Sequence, residues 1–291
     1  MSVNVSAYLR RLGVDDPGRP SVAALRRLHR AHVERVAYET LEIHLGRPTT
    51  VDPYESIDRI VHRGGGGYCF HLNGAFGTLL SAMGYEVTWH RGGVFGAGED
   101  PPPGATGNHL ALTVRGLPAP ESPDGGWFVD VGLGDALHEP LPLRPGSYRQ
   151  GPFRYELRTS PVEPAGWQFR HDPAGSFVGM DFAAGPAGPA DFRARHIELS
   201  TSPESPFVRA VIVQRRHARG VDVLVGCRLK HLGAGEPVSR EIATSREWYA
   251  VLAELFGLTL PDVSGAQRRE LWSRVRAAHD AWAASREEEA A

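Results

Sequence analysis

The chain has 291 residues, of which 41% are hydrophobic, and its 32 basic and 34 acidic residues give a formal net charge of −2. The length predicts two or three domains, the apolar content is enough for a buried interior, and the balanced charge argues against a general nucleic-acid binder. No apolar run reaches the ~20 residues of a membrane span, and the N-terminus lacks a signal-peptide pattern. Two cysteines are too few for a disulfide framework or a cysteine-based metal site. We therefore expect a cytoplasmic protein without a metal site and without a membrane or nucleic-acid partner.

The first third of the chain predicts helices. Ser21 is a suitable N-cap for a helix over about 22–36, because apolar residues recur there on roughly one face. Asp52 followed by Pro53 marks the start of a second helix, with an N-cap and a first helical residue of the preferred types. A third helix is predicted from Cys69 to Met83, since the next residue is a glycine that can end it.

The middle of the chain changes to the alternating pattern of strands. Runs rich in β-branched and aromatic residues are separated by stretches rich in proline and glycine. This pattern predicts a barrel or a sandwich. The predicted strands cover residues 87–90, 109–114, 127–131, 153–157, 167–170 and 177–180.

The last third predicts a mixture of helices and strands. A helix is expected over about 191–199, and two β-like runs follow at 208–214 and 221–229. A capping box opens a helix over 244–255, and a final amphipathic helix is predicted over about 266–282.

The most unusual segment is a run of four glycines, residues 64–67, that leads into the helix predicted to begin at Cys69. Consecutive glycines cost backbone entropy, and they suit a backbone that approaches another group closely. A helix N-terminus offers free N–H groups and partial positive charge, which favour a thiolate and can stabilise an oxyanion. The alternative is that Cys69 is a small buried apolar residue.

A thiolate nucleophile needs a base and an acid that orients the base. His109 opens an alternating strand whose other face carries leucines and valine, so its side chain points away from them. Asp130 lies in the next apolar strand, where a carboxylate is costly unless it is paired. If the two strands pair, Asp130 can hold the His109 ring. A half-exposed histidine and an aspartate that binds turn amides are the alternatives.

These residues lie in segments that resemble the arylamine N-acetyltransferases. The segments are RGGGGYCFHLN at 63–73, NHLALTV at 108–114 and WFVDVGLG at 127–134. They are similar to the family's Arg-Gly-Gly-x-Cys segment, its His-led strand and its Asp-Val-Gly-Phe-Gly segment. Weaker matches, which extend the resemblance over essentially the whole chain, lie at 36–47, 200–207 and 255–258.

The resemblance implies an α+β fold of three parts with a core like that of cysteine proteases. An N-terminal helical bundle over 1–85 would carry the cysteine, a central antiparallel β-barrel over 86–190 would carry the histidine and aspartate, and an α/β lid would cover 191–291. The order of helices, strands and mixed elements predicted above agrees with this division.

The resemblance also implies the reaction. Cys69 would be the acylated nucleophile, His109 its base and Asp130 the orienting carboxylate. An acetyl or other acyl group would pass from acyl-CoA to the cysteine, and an arylamine, hydrazine or related amine would then attack the thioester, in ping-pong order. Acetyl-CoA is then a co-substrate, and no permanently bound cofactor is expected. Such enzymes serve xenobiotic or secondary metabolism.

The chain departs from the family pattern near the site. The glycine run is longer than usual, and His71 stands where many members have glutamate. Leu133 replaces a phenylalanine that commonly lines the acceptor pocket in the family. An aromatic amine therefore loses a stacking contact worth about 0.5–1.5 kcal/mol. Tyr68, Phe95 and Leu133 are the predicted residues of the substrate pocket, and no residue is assigned to CoA.

Three other functions stay open. Relatives of the family act as amide synthases in natural-product biosynthesis, and they take the acyl chain from a carrier protein with the same three residues. A cysteine thioesterase or hydrolase would use water in place of the amine. A binding protein on this fold would leave the cysteine as a buried apolar residue.

Overall fold

The computed structural model describes residues 3–290, with side chains through residue 285. Ser21 and Asp52 cap the second and fourth helices with their side-chain oxygens, so both predicted helix starts are confirmed. The third predicted helix begins at Cys69 and ends at Ala82. The elements of this part are α1 (Val5–Leu12), α2 (Val22–Arg35), β1 (Tyr38–Glu39), α3 (Leu41–His44), α4 (Pro53–His62) and α5 (Cys69–Ala82).

The middle of the chain folds into an eight-stranded antiparallel sheet with the order β5-β4-β3-β2-β9-β8-β7-β6. The two end strands, β5 and β6, are joined by residues 143–145 alone, a link that spans at most about 15 Å. A flat sheet of eight strands would separate its edges by about 33 Å, so the sheet curls into a nearly closed barrel. The strands are β2 (Glu86–Phe95), β3 (His109–Arg115), β4 (Trp127–Val129), β5 (Leu141–Pro142), β6 (Gly146–Gln150), β7 (Phe153–Thr159), β8 (Trp167–Arg170) and β9 (Gly179–Phe182).

The last third builds a second antiparallel sheet with the order β1-β10-β11-β12-β13. Because β1 comes from the first third of the chain, this sheet ties the two ends of the sequence together. The division at residues 85 and 190 stays a prediction. The elements are a 3-10 turn (Pro189–Phe192), α6 (Arg193–Thr201), α7 (Pro206–Arg209), β10 (Ile212–His217), β11 (Gly220–Val225), β12 (Arg228–Gly233), β13 (Val238–Glu241), α8 (Ser245–Glu254) and α9 (Gly265–Ala290).

Two strand predictions in this part are wrong in detail. Val208 lies in the short helix α7, which Ser205 caps, and not in a strand. The run 221–229 is broken at Gly226, whose φ of 56° forms the turn between β11 and β12. Cys227 lies in this turn and is completely buried, so it is a core residue outside the strands.

Helix α5 packs against β2 and β3, and this contact positions the candidate site. Leu110, Leu112 and Val114 of β3 join the apolar core with Phe76 of α5. The alternate residue Ala111 belongs to the separate core inside the barrel. The strand is therefore buried on both faces. Its first residue, His109, lies beside Cys69, the first residue of α5.

None of the helices in the part of the chain that the structure describes is both long and apolar enough to cross a membrane.

Candidate active site

The structure brings together the three residues predicted to carry the chemistry. Cys69 is the first residue of α5, His109 is the first residue of β3, and Asp130 directly follows β4. The Nε2 atom of His109 lies 2.8 Å from Oδ2 of Asp130. Cys69 lies close enough to the His109 ring to raise its pKa, and Nδ1 is the ring nitrogen that Asp130 leaves free. All three residues are at most 3% exposed.

The pKa of the buried His109 imidazole determines the charge that it carries in this site. Burial alone would lower the pKa of His109, but the Asp130 carboxylate and the Cys69 side chain outweigh it and raise the pKa to about 10. His109 is therefore an imidazolium at neutral pH, held between two groups that carry or accept negative charge. This is the electrostatic arrangement of an activated cysteine.

Gly132 allows the aspartate loop to reach the helix. A Cβ atom at this position would lie 2.7 Å from Cα of Cys69 and 2.9 Å from Nδ2 of Asn73. Both contacts are shorter than a real Cβ makes, and one is to backbone, so only glycine fits. The close approach at Gly132 places Asp130 over the first turn of α5.

Asn73 is a site residue that the sequence analysis did not single out. Its Nδ2 atom donates to Oδ1 of Asp130 at 2.7 Å and to the Leu110 carbonyl at 2.6 Å, and its Oδ1 accepts from the Val131 N–H at 2.8 Å. Gly132 donates a further hydrogen bond to the same Asp130 oxygen. The signal was present in the sequence, because Asn73 is four residues after the cysteine and shares its helix face.

His29 supports the aspartate from the other side and was also missed. It is completely buried on α2, with Nε2 3.0 Å from the Asp130 carbonyl oxygen and Nδ1 3.0 Å from the His138 carbonyl oxygen. Burial lowers the pKa of His29 to about 4, so the ring is neutral at neutral pH. A neutral imidazole has one N–H, so His29 donates to one of these two carbonyls and ties the 130–138 segment to α2 through that bond.

The first turn of α5 leaves donors free beside the thiol. The N–H groups of Cys69 and Phe70 have no acceptor among the described residues, as expected for the first residues of a helix. Sγ of Cys69 lies 3.7 Å from the Asn108 carbonyl oxygen. These N–H groups can stabilise negative charge that develops at an atom bonded to Sγ.

His71 caps the first turn of α5 with its side chain. Its Nδ1 atom accepts a hydrogen bond from the Tyr68 N–H at 3.3 Å, which is the reach-back contact of a capping box. The adjacent Gly67 makes room, since a Cβ there would lie 2.7 Å from the His71 ring. Burial lowers the pKa of His71 far below its usual value, so this ring is neutral and adds no charge near the thiol.

The predicted pocket residues lie in two places. Tyr68 is buried and donates its hydroxyl to Nδ1 of His196 at 2.6 Å. Leu133 shares a small cavity with Asp130 and Tyr38, a tyrosine that contacts Phe207 edge to face at 6.2 Å. Tyr38 therefore lines this small cavity with Leu133, and Phe207 packs against Tyr38; neither aromatic residue was among the predicted pocket residues.

Phe95 lies with a different cavity. This cavity, of about 330 Å³, is lined by residues 96–100 with Arg158 and Arg170, and Arg170 stacks over the Phe95 ring at 5.9 Å. None of the three candidate catalytic residues lines it. A role for Phe95 in the acceptor pocket stays a prediction.

Comparisons with known proteins identify the sequences and structures that this chain resembles. The model of a family described as N-acetyltransferase matches residues 21–264. The arylamine N-acetyltransferase of Mycolicibacterium smegmatis is 29% identical over 290 residues, which cover 94% of this chain and 98% of that protein.

Two solved structures resemble the whole fold. The arylamine N-acetyltransferase of Nocardia farcinica matches with 32% identity and a TM-score of 0.79 over 94% of this chain and 95% of that chain. The enzyme of Mycobacterium marinum in complex with CoA matches with 25% identity and a TM-score of 0.81, and the match covers 94% of this chain and 98% of that chain. On this evidence, the chain belongs to the arylamine N-acetyltransferase family of enzymes.

Proposed function

We propose that this protein transfers an acetyl group from acetyl-CoA to an arylamine, hydrazine or related amine, in ping-pong order through a thioester on Cys69. The observation that carries the proposal is the buried His109–Asp130 pair beside a cysteine at a helix N-terminus. The names of the relatives, and the CoA bound to one of them, support acetyl-CoA as the donor.

The first half-reaction forms the thioester. His109 holds the proton of Cys69, and the thiolate attacks the carbonyl carbon of acetyl-CoA. The oxyanion that forms is stabilised by the free N–H groups at the start of α5. The bond to the CoA sulfur breaks as the carbonyl re-forms, and His109 returns its proton to that sulfur. One thioester replaces another, so the step has little energetic penalty.

The second half-reaction releases the product. The amine nitrogen attacks the Cys69 thioester, His109 accepts the proton that the nitrogen loses, and the bond from carbon to Sγ breaks. Asp130 keeps the imidazole oriented and stabilises its charged form in both steps. The amide leaves, and the thiolate–imidazolium pair is restored.

Aromatic side chains lie near Leu133 although that residue is itself aliphatic. The rings of Tyr38 and Phe207 lie edge to face, and Phe207 also contacts Tyr68 at 5.1 Å. Burial, with the Cys69 and Tyr68 side chains nearby, raises the pKa of Tyr38 well above its usual value, so its hydroxyl is a neutral hydrogen-bond donor. These rings favour an aromatic amine as the acceptor.

The amine dependence of CoA release tests the proposal. Without amine, we expect one CoA per chain to be released in a burst, after which the reaction stops. Addition of an arylamine should restore continuous release, and initial rates at several amine concentrations should give the parallel double-reciprocal lines of a ping-pong reaction. Cys69→Ser should abolish the burst, and Cys227→Ser, the matched control in a buried turn, should retain it.

The other outcomes separate the alternatives. Continuous release of CoA without any amine identifies a hydrolase. A folded protein that shows no burst with acetyl-CoA, but one with an acyl carrier protein, identifies an amide synthase. A protein that releases no CoA and forms no adduct under either condition is a binding protein on this fold.

A further inference from the structure

A cluster of two histidines and one aspartate lies on the second sheet, outside the site described above. His217 ends β10, Asp222 lies on β11, and His231 lies on β12. The strand register pairs Asp222 directly with His231 and with Arg215, and His217 is two residues beyond Arg215 on the same face. The three side chains therefore project from one face of three adjacent strands.

The distances within the cluster are those of a ligand set. Nδ1 of His231 lies 2.9 Å from Oδ1 of Asp222, and Nε2 of His217 lies 3.7 Å from Oδ2. One ligand atom from each residue lies within 4.8 Å of the other two. Bonds of about 2.0–2.1 Å in tetrahedral geometry place neighbouring ligand atoms ~3.4 Å apart, so small side-chain rotations suffice.

We propose that His217, Asp222 and His231 bind one divalent transition-metal ion of the zinc and copper class. Imidazole nitrogens select zinc, copper and nickel over magnesium and calcium, and the single carboxylate offsets part of the charge. Three protein ligands leave a fourth position open to water. Among the described residues, this is the one group of three or more metal-ligating side chains.

A metal ion takes one ring nitrogen of each histidine and leaves the ring proton on the other nitrogen. The His217 ring is partly buried. Its Nδ1 atom now accepts from the Arg219 N–H at 3.3 Å, which places the ring proton on Nε2. Binding through Nε2 moves that proton to Nδ1 and returns the exposed Arg219 N–H to water. His231 donates from Nδ1 to the Asp222 carboxylate in the free protein, so metal binding through Nδ1 moves that proton to Nε2.

The residues around the cluster determine how tightly it binds a metal ion. The side chain of His231 is 45% exposed and that of Asp222 is 12% exposed, so the ion is accessible from solvent. Arg215 and Arg216 place positive charge near His217. We therefore expect weaker binding than at a closed structural zinc site, and a bound ion that links β10, β11 and β12.

Cu²⁺ is the probe, because its electron paramagnetic resonance spectrum reports the nitrogen ligands directly. One equivalent of Cu²⁺ is added to the untagged Cys69→Ser chain, so that the proposed nucleophile does not compete, and the electron paramagnetic resonance spectrum is recorded. We expect one bound ion with hyperfine splitting from two imidazole nitrogens. His217→Ala or His231→Ala should leave one nitrogen, and Asp222→Asn should weaken binding at least tenfold.

A matched control separates this site from general histidine binding. His62 on α4 is exposed and distant in sequence from the cluster, and His62→Ala should leave the spectrum unchanged. Zn²⁺ should displace the copper and raise the melting temperature of the parent chain, but not that of the His231→Ala chain. The proposal is overturned if His231→Ala retains the two-nitrogen spectrum, or if the parent chain binds no copper at one equivalent. Neither result bears on acetyl transfer, because the cluster and the candidate active site share no residue.

Discussion

Replacement of Asp130 by asparagine tests the proposed role of the carboxylate without a change of shape. Oδ1 of Asp130 accepts from Asn73 at 2.7 Å and from the Gly132 N–H at 2.9 Å, so this position must remain an oxygen. The amide nitrogen of the asparagine is then directed at Nε2 of His109. An N–H donor at that point requires a lone pair on Nε2, which places the ring proton on Nδ1, facing Cys69.

The expected loss follows from this tautomer. An imidazole with its proton on Nδ1 cannot accept the proton of Cys69, and the positive charge of His109 loses the carboxylate 2.8 Å away. In serine-protease triads, the same exchange fixes the wrong tautomer and lowers kcat by about 10⁴. A thiol is more nucleophilic than a hydroxyl, so we expect acylation to slow about 10³-fold, which corresponds to ~4 kcal/mol.

The assay is the rate of the CoA burst in single-turnover conditions. Asp181→Asn is the matched control, because Asp181 is a buried carboxylate of the barrel that binds Gln168 and Ser160. The control should keep the burst rate within a few-fold of wild type. A burst in Asp130→Asn that is slowed less than tenfold, in a protein with an unchanged melting temperature, would refute the assignment of Asp130 as the orienting group.

Three further predictions concern the same region. Gly132→Ala should lower the free energy of unfolding by about 1–3 kcal/mol in urea titrations and should slow acylation, because the new Cβ would collide with Cα of Cys69. A variant with the stability and the acylation rate of wild type would contradict this. The His109 ring, followed by NMR, should titrate well above pH 6.5 in wild type. Its contribution to the free energy of unfolding should be present below pH 6.5 and lost as the pH rises towards about 10. A titration midpoint near 6.5 would refute the ion pair. Arg216→Met should cost about 3 kcal/mol of stability, since it leaves buried carbonyls of Ala136 and Gly220 without their charged donor; an unchanged unfolding midpoint contradicts this.

Much of the candidate site could be predicted from the sequence because its signals are local. A glycine run before a helix start, a histidine at the head of an apolar strand and an aspartate inside another apolar strand each conflict with ordinary packing. Such conflicts indicate function. The caps at Ser21 and Asp52 were also readable, since each depends on residues within one helical turn.

The parts that could not be predicted depend on register and long-range pairing. The Asp222–His231 pair exists only because β11 and β12 align these residues, and the predicted single run over 221–229 concealed the turn between the strands. The contacts of the buried Glu39 carboxylate depend on the same kind of pairing, because it accepts a hydrogen bond from the N–H of Gly66, 27 residues later, as well as from the N–H of Leu41.

Mass spectrometry of the intermediate tests the central claim most directly. The protein is mixed with acetyl-CoA without amine, quenched in acid and digested. The account predicts one acetyl group on the peptide that carries Cys69 and none on the peptide that carries Cys227, and the acetyl group should disappear when an arylamine is added before the quench. Acetylated amine produced at an undiminished rate by a Cys69→Ala chain, or a wild-type chain that turns over without this adduct, would contradict it.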